Sequence, residues 1–341
     1  MPSTSRRRFL AAVGASGLAA AAGCSALGGG RPDVTTGSGL GADASHALDD
    51  ETVYVAGGES DLPEPPETAA SVEDADAVLA TPDADRVAVV RALRAGKPVA
   101  LAGGDPALAV RGALEAAGGR TFGVESVRAR PVPVAVAVPR GETVETFTVV
   151  DDGGWSRPVL DPFGWALTGR VPDCQTFVPE SSADDEYAYA GAAHVVGRLG
   201  SGEAYASRSV ASVARRDAGT FVRLRTTLHA EADDGYAVEL AEREADFPDD
   251  QRLHRTWPNP HTRSGVRVAN VSDATRSTFA VEAEPASDRA RSALTACGGL
   301  RTEGRLAYDH RTAFRWQRDG LLSPDRHYGS ATGRGEWVLD P

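Results

Sequence analysis

Lysine is almost missing from this chain of 341 residues: Lys97 is the only one, and arginine supplies the rest of the 36 strongly basic residues. Acids number 48, which leaves a net charge of −12. A nucleic-acid binder needs a basic footprint to neutralise phosphates, so that class is excluded. Long apolar runs are missing as well. The stretch Phe9 to Gly23 has 15 residues, rich in Ala and Gly, and falls short of the ~20 that a membrane-spanning helix needs. The three cysteines contain no Cys-x-x-Cys pair, which excludes a redox dithiol motif and a zinc knuckle. Gly-x-Ser-x-Gly, the phosphate-binding loop, the kinase set and His-Glu-x-x-His are also absent, so no reaction is signalled and no cofactor is expected.

What is present suffices for a folded protein. Hydrophobic residues make up 41% and charged residues 25%, a balance that supports a packed core across about two domains. Abundant Arg and Ala with so little Lys imply a GC-rich coding sequence. The acid excess then reads as the surface of a salt-adapted, archaeal protein, whose self-repulsion salt screens.

The N-terminus carries an address. Arg6, Arg7 and Arg8 precede Phe9 and Leu10, a charged region followed by a short apolar one, and the run closes on Ala21-Ala22-Gly23-Cys24. The arginines before Phe9-Leu10 resemble a twin-arginine export signal, and the small residues before Cys24 resemble a lipoprotein box. Together they resemble haloarchaeal twin-arginine-exported lipoproteins, over about the first 24 residues only. The resemblance implies cleavage before Cys24, lipid on its thiol, and anchoring at the outer face of the cytoplasmic membrane. Leu18 lies too far upstream for the usual leucine of such a box, and Ala21 stands in that place. The competing reading is an N-terminal helix packed in the core, which the missing polar face and the following Gly-rich tract disfavour.

With Cys24 acylated, Cys174 and Cys297 remain. Outside the cell they form a candidate disulfide across a long loop, or else stay two buried thiols. Asn270-Val271-Ser272 matches a glycosylation acceptor.

Residues 25–50 read as a flexible tether, with Gly37, Gly39 and Gly41 too isolated from strand or helix to cradle a phosphate. Residues 51–125 read as a small α/β domain. Thr52–Ala56, Ala77–Ala80 and Pro98–Ala102 are short apolar runs that predict parallel strands buried on both faces. One helix is expected from Thr81-Pro82-Asp83 to Gly96, with Val87, Val90, Leu93 and Arg94 at helical spacing. A second follows the Asp105 cap and Pro106, with Leu108, Val110, Leu114 and Ala117. Ligands of such sheets sit beyond the carboxyl ends of the strands. Those ends make Gly57, Gly58, Thr81, Gly103 and Gly104 a candidate ligand crevice, or else tight turns and nothing more. Phosphate is disfavoured there by Glu59 and Asp105.

Residues 126–341 read as a β-rich domain of mostly antiparallel strands with one wet face. Val132–Val138 and Thr143–Val150 pair across Pro139–Gly141, and further strands are expected at Tyr187–Leu199, Ala204–Ala214, Phe221–Ala230, Tyr236–Leu240, Val266–Val271 and Thr278–Glu284. Trp155–Arg170 reads as an irregular connection and Ser287–Cys297 as a helix. The overall class is therefore α+β.

His229, His254, His261, His310 and His327 lack ligand spacing and read as exposed loop residues, His254 and His261 in a Pro-broken loop. The clusters at Asp184–Glu186, Glu231–Asp234 and Asp246–Asp250 lack the calcium-loop signature and read as solvated surface. Trp257, Trp316 and Trp337 offer a contact face or, more simply, core anchors on strands. The leading expectation is a lipid-anchored envelope protein of binding or scaffolding type, with no catalytic residue and no metal. Its partners are the membrane, through the lipid, and an envelope protein or small ligand. The alternatives are a solute-binding lipoprotein of a transporter, which needs two similar α/β lobes, and a secreted hydrolase or metal-dependent enzyme built on His229, His254 or His261.

Overall fold

The computed structural model describes residues 48, 51–57, 62–63, 65, 67–128, 130–167, 187–216, 219–231, 235–248, 251, 253–258, 266–272, 277–283, 293–302, 304–320 and 323–340. Between 253 and 302 it describes strands and their pairing. Cys24, Cys174, His261, Gly58 and the arginines of the export signal lie outside these residues. β-Structure dominates, in one mixed sheet of 16 strands.

Strands β1 (Val53–Ala56), β2 (Ala77–Ala80) and β3 (Val99–Ala102) pair parallel in that order. Every residue of β2 and β3 is buried, as a sheet covered on both faces requires. Helices α1 (Arg86–Arg94) and α2 (Pro106–Ala117) follow β2 and β3. The carboxylates of Asp85 and Asp105 accept the Val87 and Leu108 amides and cap these helices. Thr81-Pro82-Asp83 is thus a turn ahead of α1 and not its start. The buried face of α1 is Ala88, Val89, Ala92 and Leu93, so Val87 is left 61% exposed. In α2, Leu108 is likewise exposed, while Ala107, Val110, Ala113 and Leu114 are buried. Arginines close the carbonyl ends: Arg94 donates to the Ala116 and Ala117 carbonyls, and Arg120 to that of Leu93.

β3 joins the rest of the sheet by pairing antiparallel with β5 (Val134–Arg140), which forms a hairpin with β6 (Thr143–Asp152). The sheet then forks. One edge of β6 faces β5. The other pairs first with β4 (Thr121–Arg128), through Thr143 and Val144, and then with β7 (Ala188–Leu199), from Glu145 to Asp152. Both pairings are parallel, a departure from the expected antiparallel order. As β4 peels away, the hydroxyls of Thr146 and Thr148 donate to the Gly123 and Glu125 carbonyls. They replace ladder bonds that would otherwise leave buried carbonyls unpaired. Gly191, at a bulge in β7 with φ +122°, sits in the crotch; a Cβ there would lie 2.8 Å from the Val144 carbonyl oxygen.

From the fork run two walls. One continues through β8 (Ala204–Arg216), β9 (Gly219–Glu231), β14 (Ala293–Thr302) and β11 (Leu253–Pro258). The other runs through β4, β16 (Asp325–Val338), β15 (Arg305–Arg318), β10 (Ala237–Phe247), β13 (Ser277–Ala283) and β12 (Val266–Ser272). The walls approach again where β9 nears β10 and β11 nears β12. Between them lies a core with Tyr205, Tyr308, Phe314, Trp316 and Trp337. Glycines make room for these rings: Gly335 lies against Tyr308, Gly329 against Tyr205, and Gly123 against Trp337. Trp316 and Trp337 are therefore core anchors, and the contact-face reading does not hold for them.

Three sequence expectations change. Within Trp155–Arg170 a short helix, α3 (Leu160–Leu167), packs its Phe163 and Trp165 against β5 and β6. Ala293–Cys297 belongs to β14, where pairing with β9 overrides helix propensity. Leu253–Pro258 is a strand at the sheet edge, where Pro258 needs no ladder partner for its missing N–H.

Two substitutions test the fork. Gly191→Val is expected to lower unfolding free energy by about 3 kcal/mol, from backbone strain plus overlap with Val144. Thr148→Val, which orphans the Glu125 carbonyl, is expected to cost about 1–3 kcal/mol. Urea titration at constant m-value measures both; unchanged midpoints would refute the role given to these residues.

Candidate functional site

The carboxyl ends of β1, β2 and β3 bring four predicted crevice residues to one edge. Gly57 (φ +136°) comes so close to Thr81 that a Cβ would lie 2.9 Å from its hydroxyl oxygen, and the Thr81 amide donates to the Ala56 carbonyl. Gly104 lies against Pro82, and the Gly103 amide donates to the Pro133 carbonyl. Asp105 is occupied by capping α2. The opposite edge is heavily tied: Asp76 holds the Thr52 amide, and the Lys97 ammonium holds the turn at residues 72–75. The carboxyl edge lies beside the N-termini of α1 and α2, where Val87 and Leu108 are exposed.

The strongest polar constellation lies elsewhere, between the walls. Glu125 on β4 and Arg243 on β10 are fully buried and ion-paired. Arg243 also donates to Ser207, Ser209 and Thr312, while Tyr308 and Ser209 donate to Glu125. The network crosses from β4, β10 and β15 to β8. Burial alone would raise the Glu125 carboxyl, but the Arg243 guanidinium, with His310, holds it below the usual carboxylate range. Burial also raises the Tyr308 phenol, which keeps its proton to donate. His310 is pushed down to about 4, mainly by burial.

Neither His229 nor His310 is an exposed loop residue: both are buried on strands. His194 on β7, absent from the sequence candidates, is buried too, and its ring stacks on Phe147 at 4.4 Å. Among the described residues, neither of its ring nitrogens has a hydrogen-bond partner. Burial, then Arg208 and His229, lowers its pKa well below the ordinary imidazole range. A guanidinium beside it opposes a metal cation there. His254 lies on β11, and among the described residues no group of three His, Cys, Asp or Glu is placed to hold a metal.

At one end of the walls, His327 joins three hairpin ends. Its Nδ1 lies 2.9 Å from buried Glu203, which also accepts from Ser201, and its ring stacks on Tyr236. Tyr236 donates to Asp325, which pairs with Arg318. This is a clasp with its polar groups already joined. The outer face of β10, β15 and β16 carries a cross-strand ladder, Arg315 and Arg326 to Glu239 and Arg311 to Glu242. Charge of this density marks a water-facing wall.

Sequence reading missed Glu125 and Arg243. The available signal was period two: Arg243 stands in the inward row Ala241, Ala245, Phe247, and Glu125 within the apolar strand Phe122–Val127.

No protein-family model and no curated protein matches the chain. Among solved structures, the chain is similar to the cohesin module from a Clostridium perfringens ATCC13124 family 33 glycoside hydrolase. Identity is 12% and TM-score 0.21, over 33% of this chain and 83% of that one. A likeness that slight carries no argument about role.

Arg243→Met, which strands the Glu125 charge, is expected to cost about 3–5 kcal/mol, and Glu125→Gln added to it to recover part of the loss. The pH dependence follows from the folded-state shifts. His310 and His194 titrate lower in the fold than when unfolded, so stability is full above the ordinary imidazole pKa and falls as pH drops below it. For His310 the loss reaches about 3 kcal/mol by pH 4. Glu125 adds a further loss as pH falls through its depressed folded pKa. Melting curves of the wild type and His310→Gln between pH 7 and 4 should diverge, the variant falling less; parallel curves would refute this assignment.

Proposed function

We propose that this chain is an exported, lipid-anchored cell-envelope protein of binding or scaffolding type, held by Cys24 at the outer face of the cytoplasmic membrane. The observation that carries this reading is the order of its first segment: Arg6-Arg7-Arg8, Phe9-Leu10, a short apolar run, Ala21-Ala22-Gly23-Cys24, then a Gly-rich tether. Residues 51–125 act as a small α/β unit and residues 126–341 as the β-rich body, in a salt-adapted archaeal protein whose acids keep it soluble. The carboxyl edge of β1–β3 at Gly57, Thr81, Gly103 and Gly104, together with Gly58, is the place for a small ligand. Cys174 and Cys297 pair once outside the cell, and Asn270 is available for glycosylation.

Several observations support a binding or scaffolding role. Among the described residues, the main charged clusters are closed pairs or networks. No helix among them is long and apolar enough to cross a membrane. A solute-binding lipoprotein remains the second reading, favoured by the crevice; its second parallel lobe does not occur among the described residues, where the strands after β7 pair antiparallel. An enzyme built on His229 is disfavoured by that residue's burial.

Fractionation of cells expressing the full chain tests the proposal. The wild type should sediment with membranes and be released by detergent. Cys24→Ala should be exported yet soluble, and the Arg6→Lys/Arg7→Lys chain should stay in the cytosol. Wild-type protein found in the cytosol with residues 1–23 attached would overturn the reading. A melting shift with a small solute, abolished by Gly103→Val, would favour the transporter-type reading over scaffolding.

A further inference from the structure

The single lysine of the chain sits at an unusual place. Lys97 follows Gly96 at the end of α1, and its ammonium donates to three backbone carbonyls of one turn: Val72 at 2.8 Å, Glu73 at 2.7 Å and Ala75 at 2.6 Å. The same turn leads into β2 and fastens β1, because Thr52 donates to the Asp76 carboxylate and the Asp76 amide donates to the Thr52 carbonyl. Carbonyl oxygens converging on one point are how proteins replace the hydration shell of a cation. The distances exceed the ~2.0–2.1 Å that magnesium demands and lie at or beyond the upper end of the ~2.3–2.6 Å range of calcium. They suit a larger, singly charged ion.

Arginine cannot substitute there. Its guanidinium is a planar fork that spreads its donors along two edges, whereas an ammonium is a compact point charge with three rotatable N–H groups. In a chain that uses arginine at every other such position, lysine stands where three acceptors meet.

We propose that the carbonyls of Val72, Glu73 and Ala75 form a monovalent-cation cage whose built-in occupant is the Lys97 ammonium, and that free potassium or ammonium ion fills it once that side chain is removed. The tethered charge makes the fastening of β1 and β2 independent of the ions in solution.

The test compares full-length wild type, Lys97→Ala and Lys97→Arg in choline, sodium, potassium and ammonium chloride at one ionic strength. Readouts are the thermal midpoint and hydrogen exchange over residues 67–77. The wild type should keep one midpoint in the four salts. Lys97→Ala in choline should melt about 3–6 °C lower and exchange at least tenfold faster in that segment. Potassium or ammonium should restore at least half of both changes, and sodium less; whichever of the two restores more is the better occupant. Lys97→Arg in choline should behave like Lys97→Ala. Equal loss for Lys97→Ala in all four salts, no loss in choline, or full protection in Lys97→Arg would each overturn the proposal. Should Lys97→Ala fail to fold in choline, its refolding yield on transfer to potassium rather than choline chloride is read by the same criteria.

Discussion

A strand edge has one row of amides and carbonyls, and on β6 two strands share it in succession. Thr143 and Val144 serve β4, and the remainder serves β7. That sharing obliges the sheet to split, since β4 and β7 cannot lie in one plane beyond the crotch. Much of the body follows from it. The gap needs donors for the stranded carbonyls, which Thr146 and Thr148 provide, and a residue without a side chain, which is Gly191. The diverging walls enclose a wide space, and large rings seated against glycines fill it.

Within that space the Glu125–Arg243 pair tells the walls where to stop. A buried ion pair adds little net stability over a well-packed apolar substitute, because desolvation cancels most of the attraction. Its value lies in specificity. Six hydrogen bonds link Glu125 and Arg243 to each other and to Ser207, Ser209, Tyr308 and Thr312. A slip of one residue between β10 and β15 would turn Arg243 outward and leave Glu125 alone. In long strands rich in Ala, Gly and Ser, the polar lock adds to the packed rings a contact that only one register satisfies.

Much of the first part of the fold was legible in the sequence. The short apolar strands at Val53, Ala77 and Val99 and the cap Asp105 act locally, so a single stretch of chain displays them; the sequence places the start of α1 at Thr81–Asp83, ahead of its cap Asp85. The clean alternation of Phe221–Leu228 and Val266–Val271 likewise announced strands. What escaped notice depends on residues far apart. β4 is a short stretch whose partner β16 lies far along the chain, and β15 and β16 look like mixed charged sequence because every second residue faces water. Buried histidines passed for surface ones for the same reason: the burial of His229 and His310 comes from residues distant in sequence and not from their neighbours in the chain. Gly57, Gly103 and Gly104 were placed at turns, because a strand meeting a turn leaves a local mark.

A protein with one lysine also has an unusual chemical surface. Reagents that acylate amines, common cross-linkers and proteases that cut after lysine all find a single ε-amino group, and that group is already donating to three carbonyls. Labelling and attachment of this molecule therefore belong to its carboxylates, which are plentiful and face outward along β10.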